Sequence, residues 1–524
     1  MKFSCKPELD HNSTTDMMPL VRWQEKVFLA VIVFVLLLIE LRAAALRPLW
    51  FDELSTLTVS SVPTIRGMLR AMSADGNPPL YFLLARFCLH LPMPVEIALR
   101  LPSIAASDIT ALMIFLFVRR NTGSIFAFLA MSVFLGSPFM PFATLEARSY
   151  ALLLCFTSVA ICCWQSAAQG MSRRLALAGI TASMAGAIFS HHYGVIYVTL
   201  PLLAGEGVRA WQRHRIDFAV FTSMLAGAAT LIITFPPMLH GQAGLLKAVK
   251  LCPVFWSRPG IMSLLLYLDT VPIPSLISFL AAVLLCVFLR YVVFARNRIS
   301  GALTQPASRV RIQDLAAASA LVLVLPIMLL VTKLGTGYFW GRYAIGSSLG
   351  VALVSGLLFS RLNVRSPGIK AFVLTVIIYS FSTALFGFWR FGPSDETSGV
   401  QSHPIFLSAP AREPIVIADA VIFWPTWWYS DPGTRARLHY LSDLSYAVKQ
   451  PDFIPEYALT LEQPYGAPKL DNYMEFLGSH QQFLLYCSGI PRLEWVKSRL
   501  SNDGWHLIPI NSSGKEVLYQ VDRP

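Results

Sequence analysis

Apolar runs separated by short basic connections dominate this 524-residue chain, and one of them limits the fold more than any other. Residues 175–208 are almost continuously apolar, with Arg173 and Arg174 before them and Arg209, Arg213 and Arg215 at their end. One straight helix of that length would be roughly 50 Å long, against a hydrocarbon layer of about 30 Å. Basic connections stay on the cytoplasmic side, so both ends belong there. The chain must then cross twice and turn near Ser190-His191-His192-Tyr193-Gly194. The two legs are short, which calls for local thinning of the bilayer or a turn recessed within protein. Either way the histidines face outward.

The same reasoning covers the first 390 residues. Basic groups at Arg22/Lys26, Arg119/Arg120, Arg173/Arg174, Arg209/Arg213/Arg215, Arg290 to Arg311 and Arg361/Arg365/Lys370 set the cytoplasmic connections. They predict eleven spans, near 27–46, 98–118, 125–145, 149–168, 175–191, 193–208, 217–238, 276–295, 313–333, 342–361 and 369–390. The N-terminus is then inside and the C-terminus outside. Residues 79–92 and 259–275 are apolar but short, and Arg86 or Asp269 interrupts them, so they read as amphipathic helices on the outer face. Counting both as crossings gives thirteen spans and moves Arg119/Arg120 and the two groups after them outside. Glu40 and Arg42 are the clearest charges within a span and are expected to pair near its outer end.

Composition agrees with a polytopic helical membrane protein. Only 14% of residues are charged, 55% are hydrophobic, and the mean hydropathy is +0.56. The net charge of +12 follows from the basic connections and does not imply nucleic acid, because no basic groove motif accompanies it. The eight cysteines lack metal-ligand spacing. Ala43-Ala44-Ala45 resembles a signal-cleavage site, but the apolar run continues to Leu46, which favours an uncleaved anchor.

Three regions follow: a cytoplasmic segment 1–26, a membrane domain 27–390 with a large first outer loop 47–97, and a soluble extracytoplasmic domain 391–524. The last shows short apolar runs at 415–419, 437–442, 482–487, 506–510 and 517–521, and an amphipathic stretch at 491–503. That alternation predicts a small α/β domain. It has no Gly-x-Gly-x-x-Gly sequence, so nothing there argues for a nucleotide.

The stretch Leu49-Trp50-Phe51-Asp52-Glu53-Leu54-Ser55-Thr56 places two carboxylates at the outer interface, where aromatic rings anchor. One carboxylate suffices to cap the next helix. The second needs another reason. Asn77 in a Gly-Pro-rich turn, Glu146 and Arg148, the trio His191, His192 and Tyr193, Lys247 and Arg258, and Arg342 with Tyr343 share this face. Each has a plain structural reading: Glu146 pairs with Arg148, Arg342 snorkels, His191 is an interhelical residue. As a set, carboxylates, histidines and cations beside lipid suit transfer from a lipid-phosphate donor. A carboxylate takes the proton of an acceptor hydroxyl, and cations stabilise the departing phosphate. Carboxylate and histidines on one face, Asp52 with His191 and His192, are also compatible with a divalent metal.

In their order, "LWFDELST", "NPPLYFLLARF" at 77–87, "ALRLPSI" at 98–104 and "LEARSY" at 145–150 resemble the membrane glycosyltransferases of the GT-C superfamily. The nearest likeness is to bacterial members related to protein O-mannosyltransferases and lipid A aminoarabinose transferases, over residues 20–360. The resemblance implies a polyprenyl-phosphate-linked sugar donor, transfer on the extracytoplasmic face of a bacterial inner membrane, and inversion at the sugar. It implies Asp52 as general base, or as a residue orienting acceptor or metal, with Glu53, its neighbour in the motif, as the second catalytic candidate, and maps the donor-phosphate cation onto Arg342, with Tyr343. No cofactor is required, and metal dependence varies among relatives. The acceptor is a glycan, lipid or protein hydroxyl. The competing reading is a transporter of lipid-linked sugars, which would carry polar groups deep within broken spans.

Overall fold

The computed structural model describes residues 22–252, 254–265, 310–361, 367–390, 405 and 413–523. The expected span 276–295 and most of the stretch 259–275 lie outside those residues; Ile261–Leu265 form one 3-10 turn.

The membrane region is a helix bundle. The first span is α1 (Trp23–Leu46), followed by three short helices, α2 (Phe51–Ser61), α3 (Ile65–Asp75) and α4 (Leu80–Cys88). The nine residues of α4 reach about 13 Å, too short to cross. Then come α5 (Val95–Arg119), α6 (Ser124–Leu135), α7 (Phe139–Leu145) and α8 (Tyr150–Ala168). The antiparallel pair α9 (Arg173–Ser190) and α10 (Gly194–Arg213) turns at 191–193, as the double-length apolar run requires. Helices α11 (Phe218–Ala228), α12 (Leu231–Leu251), α13 (Ile312–Val322), α14 (Val324–Leu334), α15 (Gly346–Phe359) and α16 (Pro367–Arg390) complete it.

Among the described residues, five helices are long and apolar enough to cross a membrane, or seven if each bent pair counts as one span. The expectation of eleven is therefore not met as written. Charges at the ends of α9 and α10 lower their apolarity, and α15 has only 14 residues. The segment expected as a single span at 125–145 is bent by 75° between α6 and α7, where Gly136 caps α6 and Pro138 has no N–H to continue the backbone ladder. The segment 313–333 is bent by 46° between α13 and α14. Pro326 has no N–H to give the Val322 carbonyl. Ser347 Oγ donates to that carbonyl at 3.1 Å and accepts from Leu325 N at 3.2 Å, so the break is built into the packing of α15. Helix α12 runs past the expected end at 238 to Leu251.

Glu40 and Arg42 do not pair, because residues two apart point away from each other on a helix. Arg42 lies over the Trp389 ring at 3.8 Å, and Glu40 is fully buried with no hydrogen bond to either oxygen among the described residues.

Polar connections segregate to the two ends of the bundle. At one end Glu25 receives Arg119 and Ser124, Arg311 joins Asn121 and Asp314, and Asp217 receives Arg173 and Arg209. These are the basic connections read from the sequence. At the other end lie Asp52, Glu146, His191 and Arg342.

The C-terminal region is mixed α/β. Six of its seven described strands fall on the expected runs: β1 (Ile415–Ile417), β2 (Leu438–His439), β3 (Leu441–Ser442), β5 (Gln482–Cys487), β6 (His506–Ser513) and β7 (Glu516–Asp522); the short β4 (Asp471–Asn472) falls on none of them. A five-stranded sheet runs β2-β1-β5-β7-β6, parallel through β5 and antiparallel beyond, and β3 pairs with β4. The helices between them include α17 (Ala420–Tyr429), α18 (Ile454–Glu462), α19 (Tyr473–Ser479) and α20 (Trp495–Asn502). This region does not stand apart. Phe51, Leu54 and Leu57 of α2 share one apolar core with Ile417, Phe423, Trp424, Leu459 and Tyr486.

Candidate active site

The four sequence motifs converge on the first turns of α2. Trp50 precedes the helix as its N-cap, and Glu53 accepts from the Trp50 N–H at 3.2 Å. That is the capping role, and it belongs to Glu53. The same carboxylate receives Arg100 through Nε at 2.7 Å and Nη2 at 2.5 Å, and the Ala147 N–H at 2.9 Å. Arg100 in turn donates to the carbonyls of Ala44, Arg47 and Pro48. Both side chains of the Glu53–Arg100 pair are fully buried. With its oxygens so engaged, Glu53 fixes the junction of α1, α2, α5 and the 146–149 connection. Buried and fully engaged, it presents no free oxygen to a substrate, unlike what the expectation of a catalytic Glu53 requires.

Asp52 points the other way. Its Oδ2 lies 2.8 Å from Arg342 Nη1, an ion contact without hydrogen-bond alignment. Its carboxylate accepts no hydrogen bond among the described residues. Arg342 sits in a one-turn 3-10 segment, Gly341–Ala344, between α14 and α15. The same Nη1 donates to Glu146 Oε1 at 2.9 Å. Arg342 therefore pairs inward and does not snorkel, and Glu146 pairs with Arg342, not with Arg148. Side-chain exposure is 19% for Asp52, 24% for Arg342 and 10% for Glu146, so the cluster is sheltered but open. Rings of Trp340, Tyr150 and Trp50 surround the guanidinium at 5.3, 5.4 and 5.9 Å. Its Nε and Nη2 make no hydrogen bond among the described residues.

Supporting contacts explain the other motif residues. Tyr81, from the Pro-Pro-Leu-Tyr stretch, lies 3.0 Å from the Leu99 carbonyl and 2.9 Å from Ser103 Oγ. Ser103 donates to the Glu146 carbonyl at 2.7 Å. Arg148 Nη1 donates to Thr56 Oγ1 at 3.3 Å. Gly76 closes α3 with φ of 81°, a left-handed cap suited to glycine. Its carbonyl lies 2.5 Å from His192 Nε2, tying the Asn77 turn to the α9–α10 turn.

His191 is buried, with its ring 5.5 Å from Tyr150, 5.2 Å from Tyr193 and 5.9 Å from Tyr343. Its Nδ1 accepts from the Tyr193 N–H at 3.2 Å. Burial, then the neighbouring His192, Arg148 and Arg342, push its pKa well down, so it is a neutral wall at neutral pH. Tyr197 donates to the Tyr343 carbonyl at 2.5 Å and anchors the Arg342 turn. The metal expectation does not fit this donor set. Among the described residues no three of His, Cys, Asp and Glu converge to hold an ion, and Asp52, His191 and His192 face different partners. Lys247 is exposed on α12, and Arg258 donates to the Cys252 carbonyl at 2.5 Å. No contact among the described residues joins either to Arg342.

Arg100 escaped the reading of the sequence, as did Trp50, Tyr150 and Trp340 as ring partners. A signal for Arg100 existed: a charge within an apolar span demands a buried partner.

Residues 76–240 match the sequence family described as dolichyl-phosphate-mannose-protein mannosyltransferase. That match spans about a third of the chain and agrees with the resemblance to membrane glycosyltransferases of the GT-C type. The matched segment holds Asn77, Glu146, Arg148 and the His191–Tyr193 turn, and leaves Asp52 and Arg342 outside. No curated protein matches this chain. Among solved structures it resembles ArnT from Cupriavidus metallidurans in the apo state, at 14% identity and a TM-score of 0.55, covering 95% of this chain and 98% of that one. The same protein bound to undecaprenyl phosphate gives 14% identity and a TM-score of 0.53, covering 94% and 98%. At that identity the likeness establishes the fold alone.

Proposed function

We propose that this chain moves a sugar from a polyprenyl-phosphate donor to an acceptor hydroxyl, with inversion, at the extracytoplasmic face of a bacterial inner membrane. One observation carries the reading. Asp52 holds an ion contact with Arg342 while accepting no hydrogen bond, and Nε and Nη2 of that guanidinium have no acceptor, among the described residues. A base and a phosphate receptor thus stand side by side. The arginine fork matches phosphate oxygens in two-point geometry.

In the reaction the acceptor oxygen bonds to the anomeric carbon as its proton passes to the Asp52 carboxylate. The bond from that carbon to the phosphate oxygen breaks, and the electron pair leaves with the polyprenyl phosphate. Arg342 meets the growing phosphate charge in a sheltered site, where such contacts are strongest. Glu146 holds Arg342 in place. The aromatic rings of Trp50, Tyr150, Tyr193 and Tyr343 supply faces for the sugar. The family description and the undecaprenyl phosphate carried by the similar ArnT support a polyprenyl-phosphate donor.

The test uses purified protein in detergent with polyprenyl phosphates bearing labelled mannose, other hexoses or pentoses. Release or transfer of label from one of them by the native protein, and not by Asp52→Asn, is expected. Full activity of that variant removes Asp52 from the mechanism.

A further inference from the structure

We infer that helix α18 of the C-terminal region is a brace that sets the spacing between Asp52 and Arg342, with Glu462 and Ser55 as its positioning residues. The inference rests on the reading of those two residues as the working pair.

Residues 454–462 connect the two arms of the site physically. At the far end of α18, Glu462 Oε1 accepts from Ser55 Oγ at 2.7 Å. Ser55 lies three residues beyond Asp52 on α2, and both partners are almost wholly buried, at 3% and 1% exposure. Beside that contact, Trp424 meets Phe51 edge to face with ring centres 5.3 Å apart, and Leu49 N–H donates to Tyr429 Oη at 2.8 Å. The helix carrying Asp52 is therefore held by the C-terminal region through a directional bond and a ring contact.

The near end of α18 grips the other arm. Its flanking Pro451 carbonyl accepts from Trp256 N–H at 3.2 Å, and Phe453 packs against Phe255 with ring centres 5.9 Å apart. Arg492 of the same region covers the Trp256 ring at 4.2 Å. Segment 255–257 passes the contact on: Ser257 Oγ donates to the Phe339 carbonyl at 2.6 Å, Phe339 N–H donates back to the Ser257 carbonyl at 2.9 Å, and Trp256 meets Trp340 at 5.2 Å. Trp340 lies two residues before Arg342 and under its guanidinium.

One rigid nine-residue helix thus bears on the Asp52 helix at one end and on the Arg342 turn at the other. Opposite charges pull Asp52 and Arg342 together, and the brace is what fixes where they stop. Reacting groups misplaced by about 1 Å lose on the order of a hundredfold in rate. A small relaxation of α2 would be felt in turnover far more than in donor binding.

Four variants separate a positioning role from a merely structural one. Ser55→Ala and Glu462→Leu break the bond, while Ser55→Thr and Glu462→Gln keep a donor and an acceptor. With the labelled donor that the native protein turns over, the breaking variants should lose about tenfold in kcat with donor KM within about twofold. The conservative variants should recover most of that loss. The double variant Ser55→Ala/Glu462→Leu should fall no further than either single one. Native kcat in both breaking variants overturns the brace, as does a loss that merely follows a falling folded fraction in thermal melts. Asp52→Asn is run alongside: its full activity overturns the site reading itself, whereas its inactivity beside unaffected breaking variants overturns the brace alone.

Discussion

Adjacent residues on α2 meet opposite fates, and the contrast separates a carboxylate that holds the fold from one left open beside a cation. Glu53 is sealed: two guanidinium bonds, two backbone donors and no exposure. Asp52, one residue earlier, has a single ion contact, 19% exposure and no hydrogen bond among the described residues. A helix turn sends consecutive side chains about 100° apart. One then faces the junction of α1 and α5 and the other faces the Arg342 turn. A sealed carboxylate cannot take a proton from a substrate it never meets. An open one held beside a cation is within a substrate's reach.

The largest break in that contrast comes from Asp52→Asn. It should lose at least about a hundredfold in glycosyl transfer, since an amide accepts no proton, while melting as the native protein does. Glu53→Gln should do the reverse. It leaves the Arg100 charge buried without its partner, at a cost of roughly 3–5 kcal/mol, and should be read as poor yield and early thermal unfolding. If Glu53→Gln folds normally and loses only turnover, the division of labour between the two is wrong.

Arg342→Lys sharpens the Asp52 side. It keeps the charge and loses the two-point fork, so donor KM should rise about tenfold with a smaller fall in kcat. An unchanged KM excludes phosphate recognition by Arg342.

Glu146 offers a pH test. Burial raises its pKa above the ordinary value, against the lowering effect of Arg342. Because the folded value is raised, the native state takes up a proton as pH falls through it, before the unfolded chain does. Protonation therefore costs no global stability in that window, and stability relative to neutral pH rises slightly there. It does remove the charge that holds Arg342. Activity should fall on the acidic side while the melting temperature does not. Glu146→Gln should have low activity at all pH values and lose that acidic limb. A limb that persists in Glu146→Gln belongs to another group.

The smallest effect is expected from Thr56→Val. It deletes the 3.3 Å bond from Arg148 and should change kcat by less than about threefold.

Much of the fold was legible because a bilayer imposes simple rules. Apolar length and the placement of arginines located α1, α5, α8, α16 and the α9–α10 reversal. Short apolar runs located the described strands of the C-terminal region other than β4. The broken segments were not legible as breaks. Gly136 and Pro138 announce a bend, but the break at Leu323 depends on Ser347, a residue 24 positions later, accepting and donating across the gap. The site was partly legible. Asp52, Glu146 and Arg342 were each singled out, yet their mutual contact was not, and the proximity of Glu146 to Arg148 suggested the wrong pair. Arg100 was overlooked because an apolar run hides a charge whose partner lies 47 residues away.

The sequence by itself determined that this chain lives in a membrane, that its polar residues gather at two ends of a bundle, and that an acidic pair follows the first helix. Local composition and periodicity carry that information, because hydrocarbon tolerates few exceptions. Only the tertiary structure decided which member of the pair is buried and which is open. Only it showed that the C-terminal region grips both arms of the site. Those outcomes depend on contacts between residues hundreds of positions apart, such as Ser55 with Glu462. No periodicity encodes them, since they arise when separate elements pack into one core.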